Sequence, residues 1–177
     1  MLRSRLARLR RRLIRQGLDG LIVTLPAHRR YLSGFTPDDG QWGETSGWLL
    51  ITASDAVILT DFRYELTARE QAPLFKVVIH RQGLGKALKP LLKESRVKRL
   101  GFEANAMLVA HQERLISEFG GQVELVSTSG LVSAQRIRKD PAELEAMRSS
   151  LGLMENVLGQ VISSDIVGKT EREIALK

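Results

Sequence analysis

Leu2, Leu6, Leu9 and Leu13 recur at intervals of four, three and four residues, the stripe of an amphipathic helix. Gly17 is a natural stop for it. Asp19-Gly20 then leads into Leu21-Ile22-Val23-Thr24, a short apolar run suited to a buried strand. Pro26 stands where a helix can start and Gly34 where it can end, so 26–33 reads as a short helix. The stretch 36–47 is polar, holds Pro37, Gly40, Gly43 and Gly47, and reads as a loop. Two strands follow, Trp48–Thr52 and Ala56–Thr60, joined by Ala53-Ser54-Asp55 as a hairpin turn.

The alternation continues downstream. Residues 62–72 are helical up to Pro73, 75–80 is a strand, and 84–94 is a helix in which Pro90 predicts a kink or break. Then come a strand over 98–102, a helix over 107–119 ending at Gly120-Gly121, and a strand over 122–126. Six strands interleaved with helices, one adjacent pair forming a hairpin, predict an α/β fold with a mixed sheet of about six strands flanked by helices.

From Asp140 the pattern changes. Asp140-Pro141-Ala142-Glu143 supplies an N-cap, a proline at the first helical position and a glutamate at the third. Leu144, Met147, Leu151, Met154, Leu158 and Val161 then form one apolar seam along a long helix. Gly168 and Thr170-Glu171-Arg172-Glu173 announce another helix, which has barely begun at Lys177. The expectation is an N-terminal α/β domain over 1–130 and, over 131–177, the opening helices of a second domain cut short. A seam without its covering domain is expected to self-associate or swap.

Charge changes this picture less than its total suggests. The 177 residues carry a net charge of +7, but seven of the 27 basic residues are arginines within the first 17 positions, which hold no acid, leaving 20 basic against 20 acidic. The excess belongs to one helix, read as a solvated polar face on a helix packed by its leucines. No nucleic-acid partner is expected. The chain has no cysteine, which excludes disulfides, thiolate zinc sites and a thiol nucleophile. No stretch approaches the length of an apolar membrane span, so no membrane partner is expected and a cytoplasmic location is.

Candidate chemistry is sparse. His28, His80 and His111 are the only histidines, and none has a second histidine four residues away, as a helical metal pair requires. Gly83-Leu84-Gly85 lacks the third glycine of a dinucleotide fingerprint, since Leu88 stands there. Gly168-Lys169-Thr170 lacks the earlier glycine of a phosphate loop, whose place Ser163 takes. No serine lies in a nucleophile-elbow pattern. No catalytic residue and no metal ligand is expected within these residues.

Four segments, in order, carry a resemblance. They are Ala27-His28-Arg29-Arg30-Tyr31-Leu32-Ser33-Gly34-Phe35, Thr60-Asp61-Phe62-Arg63-Tyr64 with Ala68-Arg69-Glu70-Gln71-Ala72, Leu100-Gly101-Phe102-Glu103, and Arg136-Ile137-Arg138-Lys139-Asp140-Pro141-Ala142-Glu143-Leu144. The last lies about 30 residues before Gly168-Lys169-Thr170-Glu171-Arg172-Glu173-Ile174-Ala175. Together they resemble the creatinase/prolidase/aminopeptidase P family of pita-bread metallopeptidases. Arg138 and Lys169 depart from the usual residues of that pattern.

The resemblance implies a non-catalytic N-terminal domain of a metal-dependent Xaa-Pro peptidase. In such proteins it serves dimerisation and shapes the active-site entrance. It implies two divalent metal ions, of the Mn, Co or Zn type, in a C-terminal catalytic domain whose ligands lie beyond this chain. The partners implied are that domain, a second copy in a homodimer, and proline-containing peptides as substrate. A creatinase-like amidinohydrolase or a non-catalytic pita-bread binding protein are alternatives. The 36–47 loop corresponds to the part that reaches a neighbouring active site, which makes Asp38, Asp39 and Trp42 the candidate substrate-entrance residues. An acid there could meet a substrate α-amine and an indole could cover proline.

Overall fold

The structure is a computed structural model and describes residues 1–37, 40, 45–164 and 166–176. The chain divides into two compact units, Met1–Arg136 and Ile137–Lys177. Among the described residues the first unit holds one six-stranded sheet in the order β4-β3-β2-β1-β5-β6. Its strands are β1 (Gly20–Val23), β2 (Trp48–Thr52), β3 (Ala56–Thr60), β4 (Lys76–Ile79), β5 (Arg99–Glu103) and β6 (Glu124–Thr128). β2 is antiparallel to both β1 and β3, whereas β1/β5, β3/β4 and β5/β6 are parallel. Five strands therefore point the same way and β2 alone runs against them. This is the mixed, helix-flanked sheet that the apolar runs predict.

Both faces are covered, which is why β2 is buried at all five positions. Successive side chains alternate between two cores. Leu21, Val23, Leu49, Ile51 and Ile58 face one core, with Leu6, Leu9 and Leu13 of α1 (Leu2–Arg15) and Leu32 of α2 (Pro26–Ser33). Ala68 of α3 (Glu65–Gln71) completes that face. Ile22, Leu50, Val57, Leu59 and Leu100 face the other core, against Leu88 and Leu92 of α4 (Leu84–Glu94) and Leu115 and Phe119 of α5 (Val109–Phe119). Leu131 and Val132 belong to the first core, and α6 (Ser133–Arg136) ends the unit.

Local chemistry moves several boundaries. Asp61 accepts the backbone N–H of Arg63, and the chain passes through a 3-10 turn, Phe62–Tyr64, before α3 begins. β6 starts two residues later than the apolar pattern suggests, because its parallel register places Glu124 opposite Arg99 and Thr128 opposite Glu103. Pro90 sits inside α4 without ending it. The arginines of α1 are less solvated than expected: Arg10 donates to the carbonyls of Thr52, Ser54 and Asp55 (2.8, 3.2 and 3.0 Å), closing the β2–β3 turn. Arg12 donates to Leu131 O at 2.9 Å, and Arg5 stacks on Tyr31 with its guanidinium 4.0 Å from the ring centre.

The second unit is helical. α7 (Pro141–Ile162) and α8 (Glu171–Ala175) each start with a reciprocal capping box, Asp140 with Glu143 and Thr170 with Glu173. Along α7 the seam residues Leu144, Met147, Leu151, Met154 and Leu158 are all exposed, by 41 to 58%.

Candidate functional site

The carboxyl ends of β1, β3, β4, β5 and β6 share one edge of the sheet with the start of β2. Strand ends of this kind are where open α/β sheets usually place their sites. β1 leaves that edge as Thr24-Leu25 and turns into α2 at Pro26. β5, beside it, ends at Glu103, the first acid after the apolar run Leu100-Gly101-Phe102.

Glu103 ties these two ends together. Its Oε2 accepts the backbone N–H groups of Thr24 and Leu25 at 2.8 and 2.9 Å, and its Oε1 bonds His28 Nδ1 on α2. The carboxylate thus satisfies backbone donors next to the first turn of α2, where the helix dipole favours negative charge. A cavity of about 290 Å³ adjoins this pair, lined by His28, Glu103, Asn105, Thr128, Ser129 and Arg136 among others. Because all of Glu103's bonds run to its own scaffold, it acts as a clamp on the corner. A free general base would need an unengaged oxygen.

Arg29, next along α2, is fully buried. Position 29 shares a helical face with Leu32 and Ser33, which turns its guanidinium inward. Nη1 donates to Thr45 Oγ1 at 2.9 Å and to the Gly47 carbonyl, and Nη2 donates to Ser46 Oγ at 2.8 Å and Pro37 O at 3.1 Å. Thr60 Oγ1, at the end of β3, donates to Ser46 O at 2.5 Å. Thr36 donates twice to Gln71 Oε1, through N and Oγ1, both at 2.9 Å. Gly34 turns the chain out of α2 in the left-handed region, φ +88°.

Both described ends of the 36–47 segment are therefore fastened to α2, α3 and β3. The candidate entrance residues Asp38, Asp39 and Trp42, with Glu44, lie outside the described residues. His28 joins the corner, whereas His111 packs edge-on against Trp48, with ring centres 5.6 Å apart. His80 follows β4, its N–H donating to Thr60 O at 2.9 Å. Burial lowers its pKa, partly offset by the Asp61 charge. Asp61 is held below the usual carboxylate range, first by the hydrogen bond from the Arg63 side chain.

Arg29, Glu103 and Gln71 are the anchors that sequence patterning missed. The signal for Arg29 was present, an arginine in register with the buried face of a short helix. Glu103 closes the segment Leu100-Gly101-Phe102-Glu103, but its partners are about 75 residues away in sequence, so its role as a clamp was not legible there. Among the described residues no group of three or more His, Asp or Glu side chains converges as a metal site would require. The resemblance assigns its pair of divalent ions to a C-terminal catalytic domain and asks for no ligand from these residues.

Comparison with known proteins agrees with this architecture. The sequence profile of the Creatinase/Prolidase N-terminal domain matches residues 5–138. The Xaa-Pro dipeptidase from Bacillus anthracis superposes with a TM-score of 0.87 at 27% identity, covering 99% of this chain and 47% of that one. The N-terminal domain of the cytoplasmic peptidase PepQ from Mycobacterium tuberculosis H37Rv gives a TM-score of 0.64 at 35% identity, covering 74% of this chain and 97% of that one. An uncharacterized peptidase, YqhT of Bacillus subtilis (strain 168), is 26% identical over 162 residues, 90% of this chain and 43% of the relative. The chain spans about half the length of the longer relatives. It belongs to the creatinase/prolidase N-terminal domain family.

Proposed function

We propose that this chain is the non-catalytic N-terminal domain of a metal-dependent Xaa-Pro peptidase of the prolidase or aminopeptidase P type. Its work there is to build a dimer and to shape the entrance of an active site held by a separate C-terminal domain. The observation that carries this reading is the fastening of both ends of the 36–47 segment. Arg29 gathers Pro37, Thr45, Ser46 and Gly47 around one guanidinium. Such an anchor suits a loop that must present side chains at a fixed place.

In this reading the two metals are held by residues of the catalytic domain. Asp38 or Asp39 meets the substrate amine, and Trp42 covers the proline ring.

The test is kinetic and needs a longer protein carrying this chain ahead of a catalytic domain. There, Trp42→Ala and Asp39→Ala are expected to lower kcat/KM for Xaa-Pro peptides by about tenfold each, the scale of one positioned contact. Unchanged kcat/KM in both variants would remove the entrance role. Metal-dependent Xaa-Pro hydrolysis by the 177-residue chain alone would overturn the non-catalytic assignment.

A further inference from the structure

At the opposite edge of the first unit, the sequence's even balance of charge breaks down. A groove of about 830 Å³ runs along α4 to the carboxyl end of α5, where β5 and β6 begin. Its apolar lining is the exposed Pro90 and the half-buried Val123, backed by the buried Leu92, Val97 and Phe119. Its rim carries Lys86, Lys89, Lys93, Arg96 and Lys98, and no acidic residue lines it. All five rim side chains belong to exposed residues. None of the five forms an ion pair with a described carboxylate; Lys89 donates instead to the backbone carbonyl of Glu118 at 3.1 Å. Beyond residue 17 the chain is neutral by count, so this concentration of charge is a product of the fold.

Part of the arrangement has a plain structural use, since cations near helix carboxyl termini complement the helix dipole. That use is satisfied in the last turn and does not require Lys86, two turns earlier. Lys86, Lys89 and Lys93 instead share one helical face at steps of three and four, which makes a stripe of positive charge beside an apolar trough.

We propose that this groove is a docking site for an acidic amphipathic segment of another protein. Such a segment would set leucine-like side chains against Pro90 and Val123, the apolar lining residues with accessible surface, and carboxylates against the lysine stripe. The apolar lining argues against single-stranded nucleic acid. Its one aromatic ring, Phe119, is 2% exposed and offers no face for a base to stack on. Four of the five cations are lysines, point charges without the planar fork that arginine brings to phosphates. The proposal is independent of the peptidase reading, because the groove lies at the opposite edge of the sheet from the 36–47 anchor.

The experiment is a fluorescence-anisotropy titration of the full chain with three labelled probes at low salt. One is a peptide of four Leu-Glu-Glu-Leu repeats, another replaces each Leu by Gly, and the last is oligothymidylate. The Leu-Glu-Glu-Leu peptide is expected to bind at least about tenfold more tightly than the other two. Lys86→Glu with Lys93→Glu should weaken it by at least about tenfold, and Arg8→Glu with Arg11→Glu, the same charge change on α1, by less than about twofold. Equal loss in both pairs, equal binding of the glycine peptide, or oligothymidylate binding as tightly would overturn the site. If the glutamate pair fails to fold by circular dichroism, Lys86→Gln with Lys93→Gln replaces it. An unchanged affinity in that pair overturns the proposal equally.

Discussion

Glu103 and His28 are bonded side chain to side chain across the ends of β5 and α2, while the second oxygen of Glu103 holds the N–H groups of Thr24 and Leu25. Removing the carboxylate strands three donors in a largely buried corner. Glu103→Ala should therefore destabilise the chain by about 3 kcal/mol, and Glu103→Gln, which keeps one acceptor oxygen, by about 1 kcal/mol. Urea unfolding followed by circular dichroism measures both. Equal costs for the two variants would mean that the side chain's packing matters and its acceptors do not.

Arg29 makes the complementary prediction. Arg29→Met keeps the bulk but leaves Pro37 O and Gly47 O without its N–H donors. The expected cost is about 3 kcal/mol. Hydrogen exchange should show the amides of Ser46 and Gly47 losing protection far more than those of β5. Uniform loss across the unit would speak against a local anchor.

Gly47 enters β2 with φ +144°, and a Cβ there would lie 2.5 Å from the carbonyl oxygen of Leu59. Only glycine fits that approach. Gly47→Ala should cost about 2–4 kcal/mol, read as a lowered urea midpoint. The same substitution at Gly120, where φ is +55° but a Cβ meets nothing among the described residues within 4 Å, should cost less, about 1 kcal/mol.

The fold was largely legible because its strands are apolar runs bounded by turn residues and its helices carry their own stop signals. Gly34 ends α2 and Gly120 ends α5, both in the left-handed region. What patterning could not read was whatever depends on register between distant strands. β6 is placed by its pairing with β5, and its own hydrophobicity would start it at 122. The candidate corner was half legible for the same reason. His28, Arg29 and Glu103 each fall in a recognisable segment, but Glu103 becomes a neighbour of the other two only when β5 pairs with β1. The groove on α4 and α5 was invisible to a count of charges, since neutral composition says nothing of where the lysines gather.

Two histidines set a pH dependence. His80 and His111 both have pKa values lowered from 6.5, chiefly by burial, and at His111 also by Arg114. The unfolded chain then binds protons more readily than the folded one as pH falls below 6.5, so their contribution is complete above that pH and is lost on acidification. Tm should decline between pH 7 and pH 5, and His80→Gln with His111→Gln should flatten that decline. Asp55 and Asp61, whose values are lowered from 3.8, add their own loss only at lower pH. An unaltered slope in the double variant would assign the dependence to other groups.

Both hydrophobic cores are built from residues no later than Val132. Residues 1–136 expressed alone should thus melt within about 4 °C of the 177-residue chain, a shift of roughly 1 kcal/mol. A larger drop by scanning calorimetry would show that the second unit stabilises the first.

β1 joins the antiparallel β2–β3 hairpin to the parallel β5–β6 pair, with Gly20 opposite both Thr52 and Leu100. On a ribosome, that one strand is made early and its second neighbour emerges late. The hairpin side can assemble while Leu21, Ile22 and Val23 still present an unpaired edge toward the place of β5. Closing so long a loop is slow. Until β5 is made, the β5-facing edge of β1 is an unpaired apolar strand edge, the kind of surface that chaperones or misassociation can meet.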